Sequence, residues 1–396
     1  MNAQTGEQVW HYQVTPGDNW DFDATQPLMQ ATLRLGGQRR KVLMQASKNG
    51  FFYVIDRLTG KFISGTPYVD GITWAMGIDS ATGRPVESPA GYQGMKPVLS
   101  SPDNNGAHNW HPIAMDPTLG LVFLGVRSGS LEVHAPDKNF VYDSTSKNIG
   151  KDPKYVGELV ARQAAAPPPR GDLLAWNPVE RKEAWRVALP VSQSGGVLAT
   201  AGNIVLQGAG DGILRAYRSS DGVKLWEFNA GTGIMAPPIT YLVNGVQQVT
   251  VMVGWGGNMG LSNNPIMGPV KPGYGRILTF ALGGTKKLEV PFYGHKEPPV
   301  AVIKVTSTPE MVAQGAALYA QNCAMCHGRS AIAGPVPDLR YSTAQVHAQL
   351  DSIVLGGLRA PLGMPSFKGR LDSAQLRLIQ VYILARAAAG DGTFNR

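Results

Sequence analysis

The chain has 396 residues, 43% of them hydrophobic and 16% charged, enough apolar surface for two or more packed domains and too much for a disordered segment. Its net charge of +8 comes from scattered Lys and Arg without a long basic run, which argues against nucleic acid, and no apolar run reaches the roughly 18 residues of a membrane span. The N-terminal residues Met1-Asn2-Ala3-Gln4-Thr5-Gly6 have neither the basic nor the apolar region of a signal peptide.

Residues 1–285 read as β structure. Runs such as Lys41–Met44, Phe51–Ile55 and Val249–Val253 are strand-length and bounded by turn residues, and 48 Gly and 29 Pro suit a turn-rich fold. A phrase recurs between the runs. Gly6 precedes Trp10, Gly222 precedes Trp226 and Arg181 precedes Trp185, each by four positions. Asp56–Gly60 and Asp79–Gly83 repeat the turn without the tryptophan. Trp185 and Trp226 are 226 − 185 = 41 apart, the length of one four-stranded propeller blade. The pattern predicts an all-β propeller in which each ring docks on a neighbouring blade; a β-sandwich with degenerate turns is the plainer alternative.

Residues 286–308, with Pro291, Pro298 and Pro299, read as an extended linker. Residues 309–396 read as a small all-α domain. Thr308-Pro309 is an N-cap with Pro at the first helical position, and that helix presents Val312, Gly315 and Tyr319 on one side. A second helix is predicted over Ala344–Leu355. A third is capped by Asp372 or Ser373, with Leu376, Ile379 and Ile383 on its apolar face. Gly315 is expected where Tyr382 crosses closely.

Cys323-Ala324-Met325-Cys326-His327 is C-x-x-C-H, the attachment signal for c-type haem, with His327 as an axial ligand. These are the chain's two cysteines, too few for a structural zinc site, and no βαβ setting surrounds them as in a thioredoxin motif. Met364, in Gly363-Met364-Pro365, is the expected second axial ligand, although a lone Met is more often core filler. His347 reads as a surface helix residue. Three helices around the motif predict a cytochrome c domain.

Gly17-Asp18-Asn19-Trp20-Asp21-Phe22-Asp23, then Ala46-Ser47-Lys48-Asn49-Gly50, Gly254-Trp255-Gly256-Gly257 and the haem motif together resemble the quinohaemoprotein alcohol dehydrogenases. The resemblance implies pyrroloquinoline quinone (PQQ), haem c and a calcium or lanthanide ion as cofactors. It implies oxidation of an alcohol to an aldehyde or ketone by hydride transfer to the quinone. Electrons then pass through haem to an external acceptor such as a soluble cytochrome or copper protein, in the periplasm. A haem c electron-transfer module on a non-catalytic propeller is the alternative.

The resemblance also implies roles. Asp21 is the general base and lies beside the metal; a carboxylate suits both tasks. Lys48 hydrogen-bonds the quinone oxygens and stabilises negative charge there. Asn109 and Trp110, in Gly106-Ala107-His108-Asn109-Trp110, and Trp255 line the cofactor, although propellers also use Trp for blade docking. Asp23, two positions after the base, marks lanthanide use, because a trivalent ion favours another carboxylate. Strand alternation would put Asp21 and Asp23 on one face. Two departures stand out. The family's propeller has eight blades where this chain has room for about four or five. The family's remaining metal ligands, quinone-stacking tryptophan and adjacent-cysteine disulfide are missing, so the chain is expected to be the C-terminal part of a longer protein.

Overall fold

A computed structural model describes residues 1–89, 97–142, 148, 150–152, 162, 166–255, 275–288, 299–328, 331 and 336–389. The first sheet is an antiparallel meander of β1 (Met29–Leu35), β2 (Gln38–Ala46), β3 (Phe51–Asp56) and β4 (Phe62–Pro67). Its first hairpin pairs Leu35 with Gln38, leaving Gly36 and Gly37 as the loop at φ 56° and 80°. Such a type I′ loop matches the strand twist and needs positive φ at both positions, which glycine adopts without a Cβ clash.

A short hairpin follows, β5 (Ala75–Ile78) with β6 (Pro85–Glu87), and then β7 (Val98–Ser100), which pairs with β10 (Glu132–His134). The next four-stranded sheet contains β8 (Ala114–Asp116), β9 (Leu121–Ser128), β11 (Arg170–Asn177) and β12 (Lys182–Leu189). Another holds β13 (Ser194–Thr200), β14 (Ile204–Ala209), β15 (Ile213–Arg218) and β16 (Lys224–Asn229). The last is three-stranded: β17 (Ile239–Val243), β18 (Val246–Val253) and β19 (Arg276–Ala281).

The sheets pack face to face in series, as propeller blades do. Val42 and Met44 of the first sheet meet Leu124, Leu174 and Trp176 of the second four-stranded sheet. The opposite face of that sheet, with Phe123 and Leu173, meets Val197, Val205 and Tyr217. Leu214 and Phe228 then meet Val251, Val253, Leu278 and Phe280.

The recurring turn phrase has one physical form. In the turns from Asp56, Asp79 and Asn177, the side-chain oxygen accepts backbone N–H groups two and three residues on, and the carbonyl accepts one four residues on. The closing residue sits at positive φ: Gly60 at 70°, Gly83 at 70°, Arg181 at 59°. Such Asx turns fix the hairpin with a short side chain that accepts from its own backbone. Asp116–Gly120 is a further copy that the tryptophan pattern did not reveal.

The predicted ring docking is present. A Cβ on Gly60 would stand 2.6 Å from the Trp10 ring and one on Gly222 would stand 2.7 Å from Trp185, so each ring rests on a turn glycine of the next unit. Trp226 meets Phe280 of the following sheet edge-on at 5.4 Å.

The helical unit starts with α1 (Pro309–Asn322), capped by Thr308, whose Oγ1 accepts the Met311 N–H at 3.3 Å. After the one-turn α2 (Ala324–His327), the predicted second helix is two pieces, α3 (Ala344–Ala348) and α4 (Leu350–Val354), broken at Gln349. The break accompanies tertiary capture of α3: Gln380 of α5 (Ser373–Ala388) donates Nε2 to the His347 carbonyl at 3.3 Å. His347 is therefore buried, at 4% exposure, and the surface assignment is corrected. A full capping box, Asp372 with Gln375, starts α5. α1 crosses α5 at Gly315, where a Cβ would stand 2.8 Å from the Leu378 carbonyl carbon and 3.0 Å from the Tyr382 Cβ. Tyr319, Ile353, Leu376, Ile379 and Ile383 form the core beneath.

Of the linker prolines, Pro291 and Pro298 lie outside the described residues, as do Gly256 and Gly257. No helix among the described residues is long and apolar enough to cross a membrane.

Candidate functional site

Two groups of chemistry-bearing residues emerge, one in each kind of structure. In the sheets the organising residue is Lys48, in the turn between β2 and β3. All four carbonyls of Ser47-Lys48-Asn49-Gly50 are held: Ser47 by the Tyr68 hydroxyl at 2.6 Å, Lys48 by the Ala107 N–H at 2.9 Å, Asn49 by the Trp74 indole N–H at 2.8 Å, and Gly50 by the Tyr68 N–H at 3.0 Å. Asn49 is wholly buried, and its amide donates to the Tyr53 hydroxyl at 2.9 Å. A turn bound on every carbonyl gives its lysine a fixed root.

From that root the Lys48 ammonium donates to the Asp21 carbonyl at 2.9 Å and forms an ion pair with the Asp23 carboxylate. The stretch around Asp21 is not a strand. Trp20 and Phe22 turn inward onto Trp74, at ring separations of 5.0 and 5.5 Å, while Asp21 and Asp23 face outward. Asp21 itself sits at φ 63°. The outward placement of both carboxylates thus arises from a left-handed kink and an aromatic anchor, which corrects the strand-alternation argument. Nearby Asp18 has its carboxyl pushed up, first by burial and further by the charges of Asp21 and Asp23, against the Trp20 and Phe22 N–H groups.

The Gly106–Trp110 segment lies against the lysine. A Cβ on Gly106 would stand 2.6 Å from the Lys48 Cα, so only glycine allows the backbones to touch there, and φ is +77°. The Asn109 Nδ2 donates to the Asn105 carbonyl at 2.8 Å and its Oδ1 accepts the Trp110 N–H at 2.8 Å. Trp110 is half-exposed and stacks on His111 with centroids 4.2 Å apart. His108 and His111 are buried; burial pushes them down to about 4 and about 3, so both imidazoles stay neutral. Trp255 belongs to another packing unit, with Met235, and rests on Gly210 and Gly233. Its Nε1–H is buried with no acceptor among the described residues.

In the helical unit, α2 is the haem motif itself. The Tyr319 hydroxyl donates to the carbonyls of His327 at 3.0 Å and Gly328 at 2.8 Å, tying the motif to α1. The His327 Nδ1 faces the Pro337 carbonyl at 3.2 Å, which leaves Nε2 as the ring's ligating nitrogen. Burial holds the His327 pKa below its ordinary value, with the charge of Arg359 adding, and a neutral imidazole is the form that binds a metal. Burial also pushes the Cys323 thiol up to about 12, while Cys326 is exposed. Met364 packs against the same core as Cys323, one residue after Gly363 at φ 91°. Two thiols, one free imidazole nitrogen and a thioether are a donor set that suits covalent haem.

A metal fits less well. Among the described residues no cluster of three or more His, Cys, Asp or Glu could hold an ion, and the Asp23 carboxylate is engaged by Lys48.

Sequence comparison places the chain. A model of the glucose/ethanol/alcohol dehydrogenase β-propeller domain matches residues 1–68 and 158–249, and one of the cbb3-type cytochrome c oxidase subunit III matches residues 310–383. "Quinohemoprotein alcohol dehydrogenase ADH IIB" of Pseudomonas putida is 42% identical over 98% of this chain and 55% of its own length. The chain belongs to the quinohaemoprotein alcohol dehydrogenase family. "1-butanol dehydrogenase (cytochrome c)" of Thauera butanivorans is 41% identical, with 98% of this chain and 56% of its own covered. The solved quinohemoprotein alcohol dehydrogenase ADHIIG of Pseudomonas putida superposes with a TM-score of 0.84 at 39% identity, covering 98% of this chain and 57% of that one. The Comamonas testosteroni enzyme gives 0.77 at 37%, covering 96% and 55%. The chain thus spans about half the length of the curated relatives it matches.

Tyr68, Trp74 and the Asp103–Arg127 pair, which position the Lys48 turn and the Gly106–Trp110 segment, were not apparent from the sequence. Tyr68 and Trp74 are distant in sequence from the turn they hold, and Asp103 from its partner Arg127, so no local spacing marks them.

Proposed function

We propose that this quinohaemoprotein chain supplies one wall of a PQQ site and all the protein ligands of a haem c, in an enzyme that oxidises alcohols and passes the electrons to an external acceptor. When bound, the quinone accepts a hydride and the haem carries single electrons. Asp21 is the general base: its outward-facing carboxylate takes the proton of the alcohol hydroxyl. Lys48, whose ammonium donates to the Asp21 backbone carbonyl, stabilises negative charge on the quinone oxygens. Asn109, Trp110 and the Trp255 Nε1–H, which has no acceptor among the described residues, complete the cofactor wall. Cys323 and Cys326 would hold the haem covalently, and His327 and Met364 would bind its iron.

The observation that carries this reading is the meeting of three remote stretches at Lys48, through Asp21, Asp23, Gly106 and Ala107. Aldehydes or ketones are the products, a soluble cytochrome or copper protein is the acceptor, and the periplasm, where haem c is attached, is the compartment. No chemistry is assigned to the metal, because this chain's described residues do not form a donor set for calcium or a lanthanide. The test is dye-coupled oxidation of a short primary alcohol by the quinone-loaded enzyme. Asp21→Asn should remove turnover and leave the haem spectrum intact; retained turnover places the base elsewhere.

A further inference from the structure

Arg127 and Asp103 form a buried two-pronged ion pair, with Nη1–Oδ1 and Nη2–Oδ2 both at 2.7 Å and side-chain exposures of 7% and 9%. Neither residue belongs to the proposed quinone wall. Both, however, are bonded into its backbone. The Arg127 N–H donates to the Ala107 carbonyl at 2.8 Å, and the Ala107 N–H donates to the Lys48 carbonyl at 2.9 Å. On the other arm, the Asp103 carbonyl accepts the Gly106 N–H at 2.8 Å and its Oδ1 accepts the Asn105 N–H at 3.1 Å. The Asn105 carbonyl in turn accepts the Asn109 amide at 2.8 Å. The circuit runs from Lys48 through Ala107, Arg127, Asp103 and Asn105 to Asn109.

We propose that the Asp103–Arg127 ion pair is a positioning device that sets the place of Lys48 relative to Asn109. Three physical arguments support it. Gly106 lies so close to Lys48 that a Cβ there would stand 2.6 Å from the Lys48 Cα and Cβ, so a shift of the 103–107 loop toward the turn must move the lysine. A two-pronged guanidinium–carboxylate contact fixes both distance and plane, which a single hydrogen bond does not. A buried ion pair is also a poor way to gain stability, and here the Arg127 Nε stays buried with no acceptor among the described residues. A pair that is costly to bury and doubly anchored to the site is accounted for by geometry. Of the grips on the Lys48 turn, the one through Ala107 crosses to the segment bearing Asn109, so it alone couples the two side chains.

The functional consequence rests on the reading that Lys48 faces the quinone; the placement itself does not. The test therefore uses the full chain with haem attached and no quinone. Lys48 is acylated with an N-hydroxysuccinimide ester, well below each variant's melting temperature, and the rate is followed by mass spectrometry of the Lys48 peptide. Asp103→Asn removes the charge at constant size, and Arg127→Lys keeps the charge but loses the fork. Both should raise the Lys48 labelling rate roughly tenfold through local opening. Faster hydrogen exchange at Ala107 should accompany it. Arg127→Lys carries the test if Asp103→Asn does not fold. A pair that only stabilises the fold would lower the melting temperature and leave native-state labelling unchanged, and that result overturns the proposal. Separately, Lys48→Ala with unchanged PQQ affinity would refute the quinone-facing role of Lys48 while the labelling result still stands.

Discussion

In the helical unit, Cys323, Cys326 and His327 fall within five consecutive residues, and Met364 follows in the same small core. In the sheets, the candidate quinone wall draws on residues 21–23, 48 and 106–110, held by hydrogen bonds between segments far apart in sequence, and on Trp255 from another packing unit. The first arrangement, as proposed, would anchor its cofactor by covalent bonds at a local turn, so it asks little of the surrounding fold. The second depends on several packed sheets at once, and each contact it uses is only as good as the register of its neighbours. The chain offers a direct handle on this contrast. All eight tryptophans lie before residue 256 and both cysteines lie after residue 322, so indole fluorescence reports the sheets and haem absorption reports the helices.

The largest expected effect is all or none. Replacing both Cys323 and Cys326 with Ala should abolish covalent haem, seen as loss of the haem band on denaturing gels, with the tryptophan emission maximum unchanged. A fluorescence change of unfolding size would show that the two regions are not separate. Met364→Ala should remove the weak near-infrared sulfur-to-iron band and lower the haem potential while the haem stays attached; an unchanged spectrum would exclude Met364 as ligand.

A third prediction concerns pH and touches the sheets. His108 and His111 titrate in the fold at about 4 and about 3, below the ordinary 6.5. The unfolded chain therefore binds more protons between those values, so stability is full above pH 6.5 and is lost as pH falls toward 4 and then 3. Below pH 6.5 each histidine costs up to about 1.4 kcal/mol per pH unit, so by about pH 4.5 the loss for the pair is on the order of 3–6 kcal/mol, the lower end if the two sites are coupled. Urea melts followed by fluorescence from pH 7.5 to about 4.5 should show it. His111→Asn should flatten the slope, and an equally steep slope in that variant would assign the effect to other groups.

The smallest effect is a packing change confined to the helices. Gly315→Ala inserts a methyl against the Leu378 carbonyl and should cost about 1–3 kcal/mol, seen in haem-detected melts and absent from the fluorescence.

What the sequence made legible follows the same division. The haem motif, the α1 and α5 caps and the Gly315 crossing are local or periodic signals. The propeller turns were visible because an Asx turn is written in adjacent residues, as at Asp56 and Asp79. The resemblance put Asp21 and Lys48 in one expected site, yet gave no sign of the kink at Asp21 or of the Lys48 contacts to the Asp21 carbonyl and Asp23. The grips of Tyr68 and Trp74, the Asp103–Arg127 fork and the burial of His347 under Gln380 were invisible, because each is decided by a partner 20 or more residues away. The break at Gln349 was missed for the same reason: local propensity favoured one helix, and a tertiary bond to α3 prevailed.

The claim that the sheets are organised around Lys48 is tested most directly by a crystal structure of the protein loaded with PQQ. The account predicts the quinone against Lys48 and Asn109, with the lysine ammonium within hydrogen-bond distance of a quinone oxygen and the Asp21 carboxylate facing the reacting carbon. A quinone seated away from Lys48, with the lysine still paired to Asp23, would contradict it.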